Sequence, residues 1–213
     1  MTLSAALPVI PVARVAVPED VARQTSFPLA DVGGSPAPEL ATEVRFAATA
    51  KAFVALFTAF AEPPLTIQRG AGEEVFRDEC VELFIASPVE PFAYQEIVVN
   101  PQGALYAARI VNPGDSRATW DVSRGETLPG VSIGVRGDPA ARPATEWARW
   151  SCRLTVPWSS LAPGTPPTPG EERRGNAYRI ARGRTTRFLA LSPTLRSNPP
   201  DFHVPSRFAR LVF

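Results

Sequence analysis

The sequence is poor in the side chains that most often carry metal, haem or nucleophilic chemistry. Its 213 residues contain one histidine (His203), one lysine (Lys51) and one methionine (Met1). A histidine-based zinc site needs more ligands than this, and no G-x-S-x-G elbow marks a serine nucleophile that could use His203. Haem held by two axial ligands is not expected for the same reason. We interpret His203 as a structural residue near the rim of a ligand site.

Cysteines are also few, and the positive and negative charges nearly cancel. Two cysteines, Cys80 and Cys152, cannot build a disulfide framework, so both are expected to be reduced and buried, although a single bridge between them stays open. The formal net charge is +1, which gives no overall field that would attract nucleic acid or an anionic membrane. We therefore expect neither as a partner.

Long apolar runs are missing as well. No stretch approaches the roughly 20 apolar residues that span a bilayer. The N-terminal segment MTLSAALPVIPVARV lacks a basic start and is interrupted by Pro8 and Pro11, so it does not resemble a secretory signal. Cellular location is left open.

What dominates the sequence is alternation of apolar and polar residues with a period of two. It occurs in short runs bounded by Pro, Gly, Asn and Asp, and no pattern predicts a helix longer than two turns. The 24 prolines fit this picture, because proline disrupts helix interiors. We predict a single domain over residues 1–213: an all-β antiparallel β-sandwich, immunoglobulin-like or jelly-roll-like, with roughly ten strands. The predicted strands lie at 12–17, 43–50, 53–60, 80–86, 94–100, 104–110, 130–136, 146–158, 177–183, 187–193 and 208–213.

Carboxylates crowd the segment FRDECVELFIASP, residues 76–88. Alternation directs Val81, Leu83 and Ile85 into the core and sends Glu82 to the opposite face of its strand. Among the acids of this segment, we therefore predict that Glu82 is the functional one.

Two predicted hairpins place further polar residues on the face of Glu82. Pairing across the connection SPVEP sets Glu96 opposite Glu82 and Tyr94 opposite Phe84. Pairing across the turn NPQG sets Arg109 beside Tyr94. The predicted face therefore carries Glu82, Glu96, Tyr94 and Arg109, although a slip of one residue would exchange the faces.

Facing glutamates repel each other, so they need a cation, an arginine or a polyhydroxyl ligand. One interpretation is a solvated face on which Arg109 pairs with them. The other is a sugar-binding surface, where Glu82 and Glu96 accept hydroxyl hydrogens, Arg109 donates, and Tyr94 gives an apolar platform. The two glutamates could also form a glycosidase pair, although nothing else in the sequence suggests a deep cleft.

Four blocks of sequence together resemble a known family. RDECVELFI, YQEIVVNPQGALYAARI, ARWSCRLTVPWSSL, and RGNAYRIARG with LSPTLRSNPPDFHVPSRFARLVF resemble, in that order, the family 9 carbohydrate-binding modules and their DOMON-like relatives. The resemblance implies a β-sandwich that binds mono- or oligosaccharides without catalysis, with Glu82 and then Arg109 at the ligand. It also implies that structural calcium can occur; some DOMON relatives bind haem.

One departure from the family concerns aromatic residues. Sugar-binding members often place Trp shortly before the proline of the SPT block, where this chain has FLALSPT. Phe76, Tyr94 and Phe188 are the candidates to replace it. If none does, the chain is expected to be an interaction or scaffold domain that has lost sugar binding.

The remaining polar and aromatic clusters have structural interpretations. Asp78, Glu79 and Asp115 offer oxygen ligands for calcium, but solvated loop acids are the favoured interpretation. Trp150 is predicted in the core and Trp147 exposed. The arginines of RIARGRTTR are predicted to point outward from a strand and turn, at positions 179, 182, 184 and 187.

Overall fold

A computed structural model describes residues 6–62, 67–137 and 148–213. Within these ranges the chain forms strands joined by loops and short 3-10 turns. The strands are β1 (Val9–Pro11), β2 (Ala13–Arg14), β3 (Phe27–Pro28), β4 (Ala30–Asp31), β5 (Glu43–Ala48), β6 (Ala52–Ala61), β7 (Cys80–Ala86), β8 (Ala93–Val99), β9 (Leu105–Val111), β10 (Asp121–Arg124), β11 (Ser132–Arg136), β12 (Ala148–Pro157), β13 (Glu172–Arg182), β14 (Thr186–Ala190) and β15 (Ala209–Val212). No helix in the described ranges is long and apolar enough to cross a membrane.

The strands form two mostly antiparallel sheets, which confirms the predicted β-sandwich. The first sheet has the order β1-β15-β13-β7-β8-β9-β10, with β14 beside β13 and β4 beside β14. The second has the order β11-β12-β6-β5-β2, with β3 beside β5. Every predicted run overlaps a strand. Short edge strands such as β3, β4 and β10 were missed because two to four residues are too few to show alternation.

The main core lies between the sheets. Val81, Leu83 and Ile85 project into it from β7, as predicted, and Trp150 meets them from β12. Trp147, which was predicted to be exposed, lies outside the described residues.

A second apolar layer covers the outer face of the first sheet. It contains Phe84, Tyr94 and Tyr178 from the sheet, and Phe202 and Phe208 from the segment between β14 and β15. The sheet is therefore buried on both faces, and the predicted polar face of β7 is not open to solvent. The cysteines are free and lie in different layers, Cys80 in the outer one and Cys152 in the main core.

Two predicted surface charges are instead fully buried. Glu79 forms an ion pair with Arg179 at 2.7 Å, and neither side chain has any exposed surface. Arg179 also donates to the Leu40 carbonyl and to the hydroxyl of Thr42, since it points between the sheets and not outward. The interpretations of Glu79 as a solvated acid and of Arg179 as an outward residue were wrong.

Asp78 is buried too, against the expectation of a solvated acid. Its carboxylate accepts hydrogen bonds from the backbone N–H groups of Gln68 and Arg69, from the Arg69 guanidinium and from the Asn100 amide. Burial raises the pKa of Asp78, but these hydrogen bonds outweigh it and hold the pKa below its ordinary value. Asp78 thus fixes the chain that leads into β7.

Candidate functional site

A cavity of about 240 Å³ opens on the outer face of the first sheet. We call it the outer-face cavity. Glu82, Glu96 and Tyr106 line it from β7, β8 and β9, while Arg124 lines it from β10 and Phe188 from β14. Loop residues complete the lining, among them Phe76, Arg117, Trp120, Phe202 and His203. Segments distant in sequence therefore build the site over the middle of the sheet.

Glu82 and Glu96 are both buried at this cavity. Glu82 is 2% exposed and Glu96 is 5% exposed. Within the described ranges, Glu82 accepts only a weak contact from the Cys80 thiol at 3.8 Å, and no hydrogen bond reaches the Glu96 carboxylate. Burying a carboxylate without hydrogen-bond donors is costly. The fold thus holds two acceptor groups at a cavity without supplying donors to them.

The two carboxylates also influence each other's protonation. Burial, and then the charge of Glu96, raise the pKa of Glu82 well above its ordinary value. Burial raises the pKa of Glu96 to about 7, although the charges of Arg117 and Arg124 act in the opposite direction. Interacting acids of this kind lose their protons as a pair. Burial and mutual repulsion therefore favour retention of a proton by the pair near neutral pH.

Arginines stand at the sides of the cavity. Arg117 donates to Asp201 Oδ1 from Nε at 3.0 Å and from Nη2 at 2.9 Å, and its guanidinium lies 5.3 Å from the Trp120 ring centroid. Arg124 is exposed, and its charge acts to lower the pKa values of both Glu96 and Tyr106. Neither guanidinium forms an ion pair with Glu82 or Glu96, so the cations sit beside the acids without neutralising them directly.

Aromatic rings border the same cavity. Trp120 is half-buried and meets His203 edge-on at 4.7 Å between ring centroids. Phe76 packs edge-on against Tyr106 at 5.3 Å. Phe76 and Phe188, two of the three candidates to replace the missing Trp, both line the cavity. Trp120 itself was overlooked; its one sequence signal is a large aromatic next to a Gly- and Ser-containing loop, outside any alternating run.

Tyr94 is not a ligand platform in this arrangement. Its ring is buried, stacked on Phe84 at 5.4 Å, and its hydroxyl hydrogen bonds to His203 Nδ1 at 2.9 Å. Tyr94 therefore supports His203, which lines the cavity. Burial and the charge of Arg117 lower the pKa of His203 to about 3 against the effect of Asp201, so its imidazole is neutral at physiological pH.

The predicted register was wrong in both hairpins. Across the first, Glu82 faces Val98 and Glu96 faces Phe84. This is an offset of two residues from the prediction, which keeps every side chain on its predicted face. Glu82 and Glu96 are consequently diagonal neighbours and not a directly facing pair.

The second hairpin is offset by one residue, which exchanges the faces of β9. Asn100 N–H donates to the Ala104 carbonyl, and the Asn100 side chain accepts from the Ala104 N–H, so the turn is one residue longer than NPQG. Arg109 then pairs with Gln95 instead of Tyr94. It points away from the outer-face cavity and forms an exposed ion pair with Glu90. Arg109 therefore does not share a site with Glu82.

Metal ligation finds little support in the described residues. No group of three or more His, Cys, Asp or Glu side chains within them could hold a metal ion. Asp78 and Glu79 accept hydrogen bonds from protein N–H groups, and Asp115 accepts one from the Ser206 backbone N–H. The calcium option thus stays a prediction.

A family model matches most of the chain. The model of carbohydrate-binding family 9 matches residues 34–213. The chain belongs to carbohydrate-binding family 9. This confirms the resemblance drawn from the four sequence blocks, and the match covers both strands that carry Glu82 and Glu96.

Solved structures share the fold at low sequence identity. A candidate carbohydrate-binding protein from Bacteroides uniformis ATCC 8492 has a TM-score of 0.76 and 21% identity, with 98% of this chain and 100% of that chain covered. A family 9 module from Caldicellulosiruptor kristjanssonii has a TM-score of 0.61 and 11% identity in its glucose complex, over 95% and 94% of the two chains. In its cellotriose complex the values are 0.60 and 12%, over 95% and 92%. No curated protein matches the sequence.

Proposed function

We propose that the protein binds a sugar ring in the outer-face cavity without transforming it. The observation that carries this proposal is the pair of buried carboxylates, Glu82 and Glu96, which the fold leaves without adequate hydrogen-bond donors. Sugar hydroxyl groups are donors of the kind that carboxylates accept. A hydrogen bond to a charged group contributes more than one between neutral groups, so these two acids would provide much of the affinity.

The other groups around the cavity suit the same ligand. Trp120 offers a half-buried aromatic surface for the apolar face of a ring. The neutral imidazole of His203 has one nitrogen bound to Tyr94, and its other nitrogen, Nε2, makes no hydrogen bond within the described residues. Arg124 is positioned at the side to donate to ring or hydroxyl oxygens.

Cavity size favours a single sugar ring. Its volume of about 240 Å³ is below the roughly 300–1,000 Å³ typical of pockets for drug-sized ligands. An oligosaccharide would place one ring in the cavity and extend past Arg117 or Arg124. The glucose and cellotriose complexes of the Caldicellulosiruptor kristjanssonii module support a sugar as the ligand class.

Calorimetric titration with mono- and oligosaccharides tests the proposal. We expect saturable binding that weakens at least fivefold in Glu82→Gln, because the amide keeps the size of the side chain and loses the charged acceptor. Arg109→Ala is the matched control, since Arg109 points away from the cavity, and it should bind as the wild type does. No binding across a broad glycan array would overturn the proposal and favour a scaffold domain.

Glycoside hydrolysis is a second candidate, favoured by one observation. A glycosidase needs one acid that keeps its proton near neutral pH, and the raised pKa values of Glu82 and Glu96 meet that need. Against it, the two acids are diagonal neighbours on adjacent strands and approach the cavity from the same side. Release of p-nitrophenol from aryl glycosides, abolished by Glu82→Gln and by Glu96→Gln, would establish hydrolysis in place of simple binding.

A further inference from the structure

The outer-face cavity carries more acids than bases, although the whole chain has a formal charge of +1. Glu74, Glu82 and Glu96 line it, against Arg117 and Arg124. Two of these groups are already paired, Arg117 with Asp201 at 2.9 Å and Glu74 with Arg77. Glu82 and Glu96 are then opposed by Arg124 alone. The local balance is therefore negative, and the two most deeply buried of these groups are both carboxylates.

A neutral sugar satisfies the hydrogen bonding of these carboxylates but not their charge. Its hydroxyl groups donate to Glu82 and Glu96, yet two ionised acids on adjacent strands still repel each other. One of them must then keep a proton, and a protonated carboxyl has lost part of its capacity as an acceptor. An ammonium group has three N–H donors and a positive charge, so it can serve both ionised carboxylates at once.

We propose that the outer-face cavity selects a sugar with a protonated amino group, a hexosamine, whose ammonium lies between Glu82 and Glu96. This inference rests on the proposed function, because it names the class of sugar that the same site takes. The supporting geometry is that both carboxylates are more than nine-tenths buried, line the cavity and lack a protein cation in contact with them.

The remaining charged and titratable groups leave room for that cation. Arg117 and Arg124 face the acids from the segment before β10 and from β10 itself, while Arg182 acts on Glu82 from the end of β13. Arg182 does not line the cavity, and Arg117 is held by Asp201. The other groups that face the two acids are Glu74, Cys80, Tyr106, Tyr178, Asp201 and His203, none of which is cationic at neutral pH.

A comparison of three ligands tests the inference on the unmodified protein. We expect D-glucosamine hydrochloride at pH 7 to bind about tenfold more tightly than D-glucose, because its hydrogen bonds to the carboxylates are charge-assisted. N-acetyl-D-glucosamine, which has the nitrogen without the charge, should bind no better than glucose. Equal affinities for glucosamine and glucose would overturn the inference and leave sugar binding intact. No binding of these or any other sugar would defeat both.

Proton exchange gives a second readout. At pH 6 the carboxylate pair retains at least one proton that an ammonium ligand between the two acids should displace, so glucosamine binding should release one proton or more. Titrations in buffers with different ionisation enthalpies measure this number. Glucose binding should release none. Glucosamine binding without proton release would contradict the placement of the ammonium between the two acids.

The isosteric variant Glu96→Gln tests whether the Glu96 carboxylate recognises the ammonium group. In Glu96→Gln the preference for glucosamine over glucose should fall from about tenfold to about twofold or less, while glucose still binds. Arg109→Ala is the control, since it changes a charge outside the cavity and should keep the tenfold preference. A full preference in Glu96→Gln would overturn the inference.

Discussion

Two buried acid sites, only three residues apart in sequence, differ in what the protein supplies to them. Glu79 lies at the start of β7 on the side of the main core, and its carboxylate accepts from the Arg179 guanidinium at 2.8 Å, from the Trp150 indole at 3.3 Å and from the Arg182 backbone N–H at 2.8 Å. Glu82, on the other face, receives only the Cys80 thiol. The protein supplies three hydrogen-bond donors to the first acid and one weak donor to the second.

We interpret this difference as the one between a structural charge and the ligand-binding charge that we propose. Burial alone does not distinguish them, because both carboxylates are at most 2% exposed. A buried charge that is fully hydrogen-bonded is stabilised by its partners, and one that lacks partners lowers stability unless something else binds it. Functional sites often keep such unfavourable local arrangements.

The largest expected effect comes from removing the cation of the satisfied site. Arg179→Met leaves Glu79 buried without its partner, which should lower the free energy of unfolding by about 3–5 kcal/mol. Urea denaturation at pH 7 measures it. Arg184→Met is the control, because Arg184 is 69% exposed and should change stability by less than about 0.5 kcal/mol. A loss below about 1 kcal/mol in Arg179→Met would show that the ion pair is not a structural requirement.

The unsatisfied site, formed by Glu82 and Glu96, should make the free energy of unfolding depend on pH. The pKa of Glu96 rises from 4.5 to about 7 on folding, so the folded state binds a proton that the unfolded state has lost within this window. Glu96 therefore lowers stability as pH rises from 4.5 to 7, by up to about 1.4 kcal/mol per pH unit. His203 acts in the opposite direction between about pH 3 and 6.5, because its pKa falls from 6.5 to about 3 on folding, and this range overlaps the window of Glu96.

Comparison with Glu96→Gln isolates this contribution, because the effect of His203 is common to both proteins. The stability of Glu96→Gln relative to the wild type should increase between pH 4.5 and 7 and then level off. Urea denaturation at half-unit pH steps provides the curves. A difference that does not change with pH would mean that Glu96 is not a buried acid with a raised pKa.

A smaller effect is expected at the aromatic wall of the unsatisfied site. Trp120→Ala should weaken sugar binding about five- to thirtyfold, which corresponds to one or two kcal/mol, with little loss of stability because the ring is only half-buried. Calorimetric titration measures the affinity. Phe92→Ala is the matched control: Phe92 is 56% exposed and lies away from the cavity. Equal losses in both variants would remove Trp120 from the site.

Much of the fold was predictable because alternation is a local property of the chain. It placed Val81, Leu83 and Ile85 in the core and Glu82 on the opposite face without knowledge of the pairing. Glu96 was placed on that face through the predicted hairpin, whose error of two residues does not change the face. The number of short strands was not predictable, since edge strands of two or three residues carry no periodic signal. The single-domain organisation stays a prediction.

The candidate site was less predictable, because distant segments complete it. Trp120, Phe202 and His203 reach the cavity from loops after β9 and before β15, and no local pattern states which face a loop will cover. The same limitation explains why Tyr94 was predicted as a ligand platform: the imidazole of His203 and the ring of Phe208, which cover it, come from the segment between β14 and β15.

Replacing Arg109 should have the smallest effect on sugar affinity and stability. The result distinguishes the observed register of β9 from the predicted one. The longer turn at Asn100 turns Arg109 away from Glu82, and its ion pair with Glu90 is exposed, with side-chain exposures of 41% and 48%. Exposed pairs contribute about 0–1 kcal/mol. Arg109→Ala should therefore leave sugar affinity unchanged and reduce stability by less than about 0.5 kcal/mol. A tenfold loss of affinity would instead mean that Arg109 reaches the ligand, as it would if β9 were shifted by one residue.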